Sequence, residues 1–225
     1  LTLIAGMIGA AIAAREGRLL SLSSVELLVR GRWRPVARSF AAAVAATVTA
    51  MLCLASLRFV LSERVGGATL AYGIPTWAIQ LALPLGFALI ALRVLWRASD
   101  TWGWRGATFA LAGLLTLCAV YPPVPAAQLV VPAFVVLFLA TILGMPIFAA
   151  LGGAGLILFW GDGSPIASLT VDHYGLVTNP TLPTVPLFTL AGYFLAEGGA
   201  SRRLIRLFRA VVGQLRGGPA ILVAL

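Results

Sequence analysis

Residues 186–218 read PLFTLAGYFLAEGGASRRLIRLFRAVVGQLRGG, an apolar segment joined through two glycines to a basic one. Ser201 is a candidate N-cap, because its hydroxyl can accept from the free amides of a first helical turn. At about 100° per residue, the apolar side chains that follow it fall within an arc of roughly 160°. The other side carries Arg202, Arg203, Arg206, Arg209 and Arg216, with no acid among them. This pattern predicts a helix that lies along a membrane surface or beneath a membrane domain.

Two pairs of glycines bound this basic helix. Gly198 and Gly199 separate it from the apolar segment, and Gly217 and Gly218 end it, with a proline directly after them. We interpret both pairs as hinges or breaks. A basic amphipathic helix after a membrane segment is either an inert interfacial anchor or a working part, and the pattern alone leaves both open.

The composition places the whole chain in a membrane. Of its 225 residues, 60% are hydrophobic and 10% are charged, and the mean hydropathy is +1.01. A soluble domain of this size cannot bury so much apolar surface. The net charge of +9 comes from arginines beside apolar segments, where positive charge sets orientation, so we do not expect a nucleic-acid partner. The sequence predicts an all-α integral membrane protein, a multi-span helical bundle with interfacial amphipathic helices.

Apolar runs mark the predicted spans. A first run ends a span near residue 14, and a semi-polar stretch up to residue 38 suits an interfacial helix. Clean spans follow at 39–61 and 75–96, the second with a kink at Pro84, and residues 63–73 and 97–105 are predicted connections. The last span, 185–196, is short. Because the chain begins without Met and a final apolar run starts at residue 219, we expect a piece of a longer membrane protein. The first run has no basic start and no small-residue cleavage pattern, so we do not expect a signal peptide.

Residues 126–160 are too long for one span. They contain Gly144, Met145 and Pro146, so we divide them into two shorter spans, or one span and a broken helix, hinged there. Gly152, Gly153 and Gly155 offer a flat face for close helix contact. With the basic segments in the cytoplasm and the acidic loop at 161–184 outside, the topology alternates only if residues 126–160 cross twice.

Catalytic and metal-binding patterns are missing from the sequence. It has no GxxxxGK[ST] phosphate loop, and Cys53 and Cys118 lie in apolar segments without ligands at metal spacing. His173 beside Asp172 fits a solvated loop pair better than acid–base chemistry. Glu197 either binds a cation or, as we favour, pairs with Arg202 or caps a span. Because the spans hold almost no charge, we expect the substrate route to lie elsewhere, and we expect no enzyme activity.

The 191–220 segment, AGYFLAEGGASRRLIRLFRAVVGQLRGGPA, resembles the early part of the large membrane subunit of tripartite ATP-independent periplasmic (TRAP) transporters. The family shows an apolar helix, a Gly-Gly break near Ser-Arg-Arg, and an amphipathic helix that closes on an L-x-G-G-like end. The matching positions are Gly198, Gly199, Ser201, Arg202, Leu204, Val212, Gly213, Leu215, Arg216, Gly217 and Gly218.

The first half resembles the small membrane subunit of the same family. AAIAAREGRLLSLSSVELL is similar to the segment where a span ends in an A-x-x-R-E-G-like turn. GIPTWAIQLALPLGFALIALRVLWR is similar to that subunit's last span. The positions that carry this second match are Gly73, Ile74, Pro75, Trp77, Leu83, Pro84, Gly86 and Phe87. The resemblance implies a fused protein: a small-subunit-like domain at 1–106, a connecting helix and proline-rich junction at 107–125, and the start of a large-subunit-like domain at 126–225.

The resemblance also implies a function. It indicates a multi-pass permease of the bacterial inner (cytoplasmic) membrane, secondary active, with sodium as the coupling ion and no cofactor. Its substrate would be an organic acid, such as a C4-dicarboxylate, delivered by a periplasmic solute-binding protein. Its other partners would be the lipid bilayer and the remaining part of the large subunit, and the substrate-binding residues would lie downstream. The alternative from another class is a non-transporting scaffold or assembly subunit of a different membrane complex.

Overall fold

The structure, a computed structural model, describes residues 2–17, 19–21, 33–69, 73–98, 102–122, 125–179, 181, 184–199, 203 and 206. Within these residues all regular structure is helical, which confirms the predicted all-α class. The helices are α1 (Thr2–Glu16), α2 (Arg34–Gly66), α3 (Thr76–Gln80), α4 (Ala82–Arg97), α5 (Trp102–Val120), α6 (Ala126–Ile142), α7 (Ile147–Gly161), α8 (Ala167–Thr178) and α9 (Thr184–Glu197).

Several of these helices have the length and composition of membrane spans. Among the described residues, α2, the α3–α4 pair taken together and α5 are long and apolar enough to cross a bilayer. Shorter apolar helices are α6, α7 and α9. The chain is therefore a multi-pass membrane protein, as the composition predicts.

The chain divides into two compact units, residues 1–177 and 178–225. The described part of the second unit is mainly α9. This division does not coincide with the domain boundaries after residues 106 and 125 that the sequence analysis gave, and those boundaries stay a prediction.

The centre of the first unit is α2, which contacts α4, α5, α6 and α7. Its packing face is rich in alanine, and Ala43, Ala45 and Ala55 are completely buried. Small side chains allow neighbouring helix backbones to approach closely, which is how membrane helices gain packing energy without a hydrophobic driving force between them. Two buried hydroxyls on this face, those of Thr49 and Ser56, donate to the carbonyls four residues earlier, at 2.6 and 2.7 Å. They are thus paired without a partner on another helix.

The directions of the helices follow from contacts at both ends. Arg38 Nη2 donates to the Arg97 carbonyl, and Cys53 Sγ donates to the Pro84 carbonyl. Because the start of α2 is thus paired with the end of α4, the two helices run antiparallel. Met7 packs on Gly86, and Gly17 lies against Arg97, so α1 runs parallel to α4. The start of α2 therefore lies beside the ends of α1 and α4.

Helices α6 and α7 form an antiparallel hairpin, because Val130 packs on Gly161 and Leu137 packs on Gly153. The turn lies where the sequence predicts it. Gly144 adopts φ 95°, which favours glycine, and Met145 N–H donates to the Ala140 carbonyl at 2.9 Å. Residues 126–160 therefore form two helices that meet at the predicted hinge, whereas the choice between two spans and one span with a broken helix stays a prediction.

The kink predicted at Pro84 is a break between α3 and α4 at Leu81. Proline has no N–H to donate to the carbonyl four residues earlier, which belongs to Gln80, and its ring crowds that carbonyl. The helix is therefore interrupted one turn before the proline.

Two predicted connections were wrong. The segment after α7 contains α8, whose Leu169, Tyr174 and Val177 pack against the core of the first unit, as does Ile166 just before it. Their helical spacing stabilises a helix within residues 161–184, where the sequence analysis predicted a loop. The connection at 63–73 is shorter than predicted, since α2 continues to Gly66 and ends at a left-handed cap, Gly67 with φ 65°.

Two further boundaries need correction. The predicted polar turn at 97–105 is partly helical, because α5 begins at Trp102 and not at Ala107. Residues 19–21, assigned to an interfacial helix, are not helical: the Leu20 carbonyl accepts from Ile147 N–H at 2.8 Å. That amide is one of the free N–H groups of the first turn of α7. The rest of that predicted helix, residues 22–32, lies outside the described residues.

Candidate functional site where the predicted domains meet

The residues singled out in the sequence lie mostly beyond the described part of the chain. Arg202, Arg209, Arg216, Gly217 and Gly218 are outside it. Arg203 and Arg206 are helical and exposed, and Arg203 N–H donates to the Gly199 carbonyl at 3.1 Å. Their role at a membrane surface stays a prediction.

The first glycine pair follows α9 directly. Glu197 is the last residue of α9, Gly198 lies in a bend and Gly199 in a turn. Gly198 N–H donates to the Phe194 carbonyl at 2.8 Å, and a Cβ at residue 198 would collide with that same oxygen. A glycine is therefore required where this helix ends, while its proposed use as a hinge stays a prediction.

An apolar cavity of about 290 Å³ lies where α2 and α5 meet the α6–α7 hairpin. Val44, Leu115, Val136 and Leu156 are typical of its walls. The hydroxyl of Thr47, one of the few polar groups there, donates to the Ala43 and Ala112 carbonyls at 2.9 and 3.3 Å. Among the described residues that line the cavity none is charged, so it offers a carboxylate no ion-pair partner and suits apolar atoms better than an organic acid.

Glycines on α7 set the distance between the two predicted domains. A Cβ on Gly153 would lie 2.6 Å from Leu137 Cδ1 and 3.0 Å from Val48 Cγ2, and one on Gly152 would lie 3.1 Å from Leu52 Cδ1. Both distances to α2 are shorter than ordinary carbon–carbon contact. The close-contact face predicted from the glycine run is confirmed. The glycines of α7 thus make room for the Val48 and Leu52 side chains of α2.

Three arginines that the sequence analysis used only to predict orientation converge at one end of the first unit. Arg38 on α2 and Arg93 and Arg97 on α4 line a cavity of about 180 Å³, together with Gly17 and the turn of the hairpin at 143–146. Arg38 Nη2 donates to the Arg97 carbonyl at 3.4 Å. The spacing of Arg93 and Arg97 indicates from the sequence only that these two share one face of a helix, and nothing local brings Arg38 to them.

Gly17 explains the Arg-Glu-Gly turn in the first domain. Its φ is 72°, a left-handed conformation that favours glycine, and the Arg97 guanidinium lies so close that a Cβ would collide with Nη1. One residue therefore both ends α1 and makes room for an arginine from α4.

The histidine of the chain does not belong to a catalytic group in the described structure. His173 lies on α8 and not in the predicted loop, and its ring centroid is 6.3 Å from that of Phe87. The residue as a whole is exposed, and partial burial of the imidazole lowers its pKa below the ordinary value of 6.5. Within the described residues, no group of three His, Cys, Asp or Glu side chains could hold a metal ion.

Comparison with protein families finds two matches in one chain. Residues 1–103 match the model of tripartite ATP-independent periplasmic transporters, DctQ component, and residues 134–225 match the model of the DctM component. Residues 104–133 lie between the two matches. They contain α5, in the segment where the sequence analysis predicted a connecting helix.

Individual relatives agree with these families. The chain is 31% identical over 157 residues to the isethionate TRAP transporter permease protein DctMQ of Oleidesulfovibrio alaskensis, which covers 67% of this chain and 24% of that protein. The C4-dicarboxylate TRAP transporter large permease protein DctM of Vibrio cholerae is 34% identical to it over 90 residues. That match covers 39% of this chain and 20% of the relative. The chain is 40% identical over 75 residues, or 33% and 17%, to the DctM protein of Pseudomonas aeruginosa.

The chain therefore spans no more than about a quarter of the length of these relatives. No solved structure matches it. Two components of one transporter family, matched in sequence over most of the chain, agree with the resemblance drawn from the motifs. The family is one of transporter permeases and not of enzymes. The chain belongs to the TRAP transporter family, with a DctQ-like part followed by a DctM-like part.

Proposed function

We propose that these residues form the bracing part of a secondary active permease, in which a DctQ-like helix, α2, holds the first hairpin of the DctM-like part in place. The observation that carries this proposal is the contact of Gly152 and Gly153 with α2. Transporters of this kind move one bundle against another around a binding site. A close contact of these glycines with the Val48 and Leu52 side chains of α2, which leaves no space for a further carbon atom, suits the part that stays still.

The junction supports bracing rather than substrate binding. Its cavity is lined by apolar groups, and α6 and α7 carry no charged residue. Ionisable groups within the membrane usually mark transport paths. We therefore place the substrate and coupling-ion sites outside the described residues, in the parts of the permease that the longer relatives possess.

For the complete transporter, we propose sodium-coupled uptake of an organic acid across the bacterial inner membrane, with a periplasmic solute-binding protein delivering the substrate. The relatives are permeases for isethionate and C4-dicarboxylates, all small organic anions. A C4-dicarboxylate or a similar acid is the substrate class that these names support.

The test is uptake by the full-length protein in liposomes with its cognate binding protein. Labelled succinate, malate and isethionate would be offered with and without an inward sodium gradient, and a potassium gradient would serve as the matched control. We expect uptake that needs both sodium and the binding protein. Folded protein that takes up no acid from a broader panel would contradict the proposal and favour the alternative of a non-transporting scaffold.

The basic helix after α9 has a separate test. We propose that it lies on the membrane surface, where its arginines face anionic head groups. Reversing charge at Arg202, Arg206 and Arg209 to glutamate should lower the amount of protein in the membrane or its uptake, while arginine-to-lysine changes at the same positions should not. Normal membrane levels and normal uptake in the glutamate variant would refute this role.

A further inference from the structure

The arginine cavity joins the two parts of the chain. Arg38, Arg93 and Arg97 come from the DctQ-like part, and residues 143–146 on the opposite side come from the DctM-like part. The cavity lies where α1 and α4 end and α2 begins. All three of these helix ends carry arginines. By the positive-inside rule, this is the cytoplasmic side.

Three arginine side chains line this one cavity, so it concentrates positive charge. Arg93 and Arg97 are four residues apart on one helix, the spacing at which like charges destabilise it. Among the described residues that line the cavity, none carries a carboxylate. A bound anion would compensate for the charge that these residues leave unbalanced.

The positions of two of the arginines are already fixed. Arg38 donates to the Arg97 carbonyl, and the Arg97 guanidinium lies against Gly17. A guanidinium has five N–H donors, so donors remain for a ligand. Arginine presents them in a planar fork that binds two oxygens of a phosphate at once.

The rest of the cavity is apolar, with Ala14, Leu19, Ala41 and Val94 in its wall. A site with arginines at its centre and apolar side chains around them, at the end of membrane helices, matches a ligand that is both anionic and lipidic. Basic pockets between helices on this side of a membrane bind the head groups of anionic lipids.

We propose that Arg38, Arg93 and Arg97 bind the phosphate of an anionic phospholipid from the cytoplasmic leaflet, and that this lipid links the DctQ-like helices to the turn of the DctM-like hairpin. The proposal does not depend on transport activity. In the simpler alternative, Arg38 only caps the carbonyls at the end of α4, where positive charge is favourable in any case.

The experiment measures lipid binding to the purified, delipidated full-length protein by native mass spectrometry. The probes are dioleoylphosphatidylglycerol, dioleoylphosphatidylcholine and inorganic phosphate. The variants are R93Q/R97Q and its charge-conserving counterpart R93K/R97K. R58Q is the matched control, since Arg58 is exposed on α2 and distant in sequence from the cavity. R93Q alone provides a variant that keeps the contacts of Arg38 and Arg97.

We expect phosphatidylglycerol to bind the wild type, R58Q and R93K/R97K, and to bind R93Q/R97Q at least about tenfold more weakly, as expected for lost charge-assisted hydrogen bonds. R93Q alone should show part of that loss. Three results would overturn the proposal: equal phosphatidylglycerol affinity in wild type and the glutamine variants, equally tight binding of phosphatidylcholine, or inorganic phosphate that displaces the lipid at stoichiometric concentration.

Discussion

Replacing Gly153 with valine should force α7 away from α2. A Cβ there would approach Leu137 Cδ1 to 2.6 Å and Val48 Cγ2 to 3.0 Å, whereas carbon atoms in good contact lie about 3.5–4.0 Å apart. The end of Leu137 can rotate away. Val48 cannot, because a β-branched side chain on a helix has essentially one rotamer. Overpacking of this kind costs about 1–3 kcal/mol.

The assay is the free energy of unfolding of the full-length protein, measured by titration with sodium dodecyl sulfate in mixed micelles. Gly113→Val is the matched control, because Gly113 is also within an apolar helix and a Cβ there has open space. Both variants gain the same side chain on a helix, so the difference between them isolates the contact with α2 and Leu137.

A second substitution makes the prediction more specific. Leu137→Ala removes the atom that lies nearest, so its cost should be smaller in the Gly153→Val background than in the wild type. We expect a coupling of about 0.5–3 kcal/mol, the range for residues in contact. If Gly153→Val destabilises no more than Gly113→Val, or if the two substitutions are additive, the packing argument is refuted.

Further predictions concern glycine conformation and one titrating group. Gly17→Ala should destabilise the protein by about 1–3 kcal/mol, because residue 17 is left-handed and Arg97 occupies the space of its Cβ. The control is Gly6→Ala on α1, where a Cβ has open space, and it should be neutral or stabilising in the same unfolding assay. Gly144→Ala should loosen the hairpin turn, where φ is 95°, and lower the midpoint of thermal unfolding; an unchanged midpoint would contradict this. Partial burial lowers the pKa of His173 below 6.5, so on acidification the unfolded chain binds a proton before the folded chain does. The free energy of unfolding should therefore fall as pH drops through about 6.5. His173→Gln should flatten that part of the plot of stability against pH.

The sequence predicted those parts of the fold that depend on hydrophobicity and on backbone chemistry. Gly144 and Pro146 interrupt a long apolar run, so the hairpin follows from local rules. The kink at Pro84 follows in the same way. The glycine run of α7 predicted a face for close helix contact, since glycines have no side chain to hold helices apart.

The parts that failed depend on tertiary packing. Helix α8 was missed because Asp162 and Gly163 are typical of a turn, while the helical spacing of Leu169, Tyr174 and their neighbours was the weaker local signal. The arginine cavity could not be predicted, since Arg38 and Arg97 lie 59 residues apart and meet only because α2 and α4 run antiparallel. The contact between Gly17 and Arg97 could not be predicted for the same reason, because the two residues lie far apart in the sequence.

Cross-linking of α2 to α7 tests the central claim, that these helices form a static brace. With Cys53 and Cys118 replaced by alanine, cysteines at Leu52 and Gly152 should form a disulfide on mild oxidation, because Leu52 Cγ lies 4.0 Å from the Cβ position of residue 152. A pair at Leu52 and Gly106 is the control. We predict high yield for the first pair, equal with and without substrate, and sodium-driven uptake that survives the cross-link. Absence of the disulfide, or loss of uptake once it forms and its return on reduction, would contradict the account.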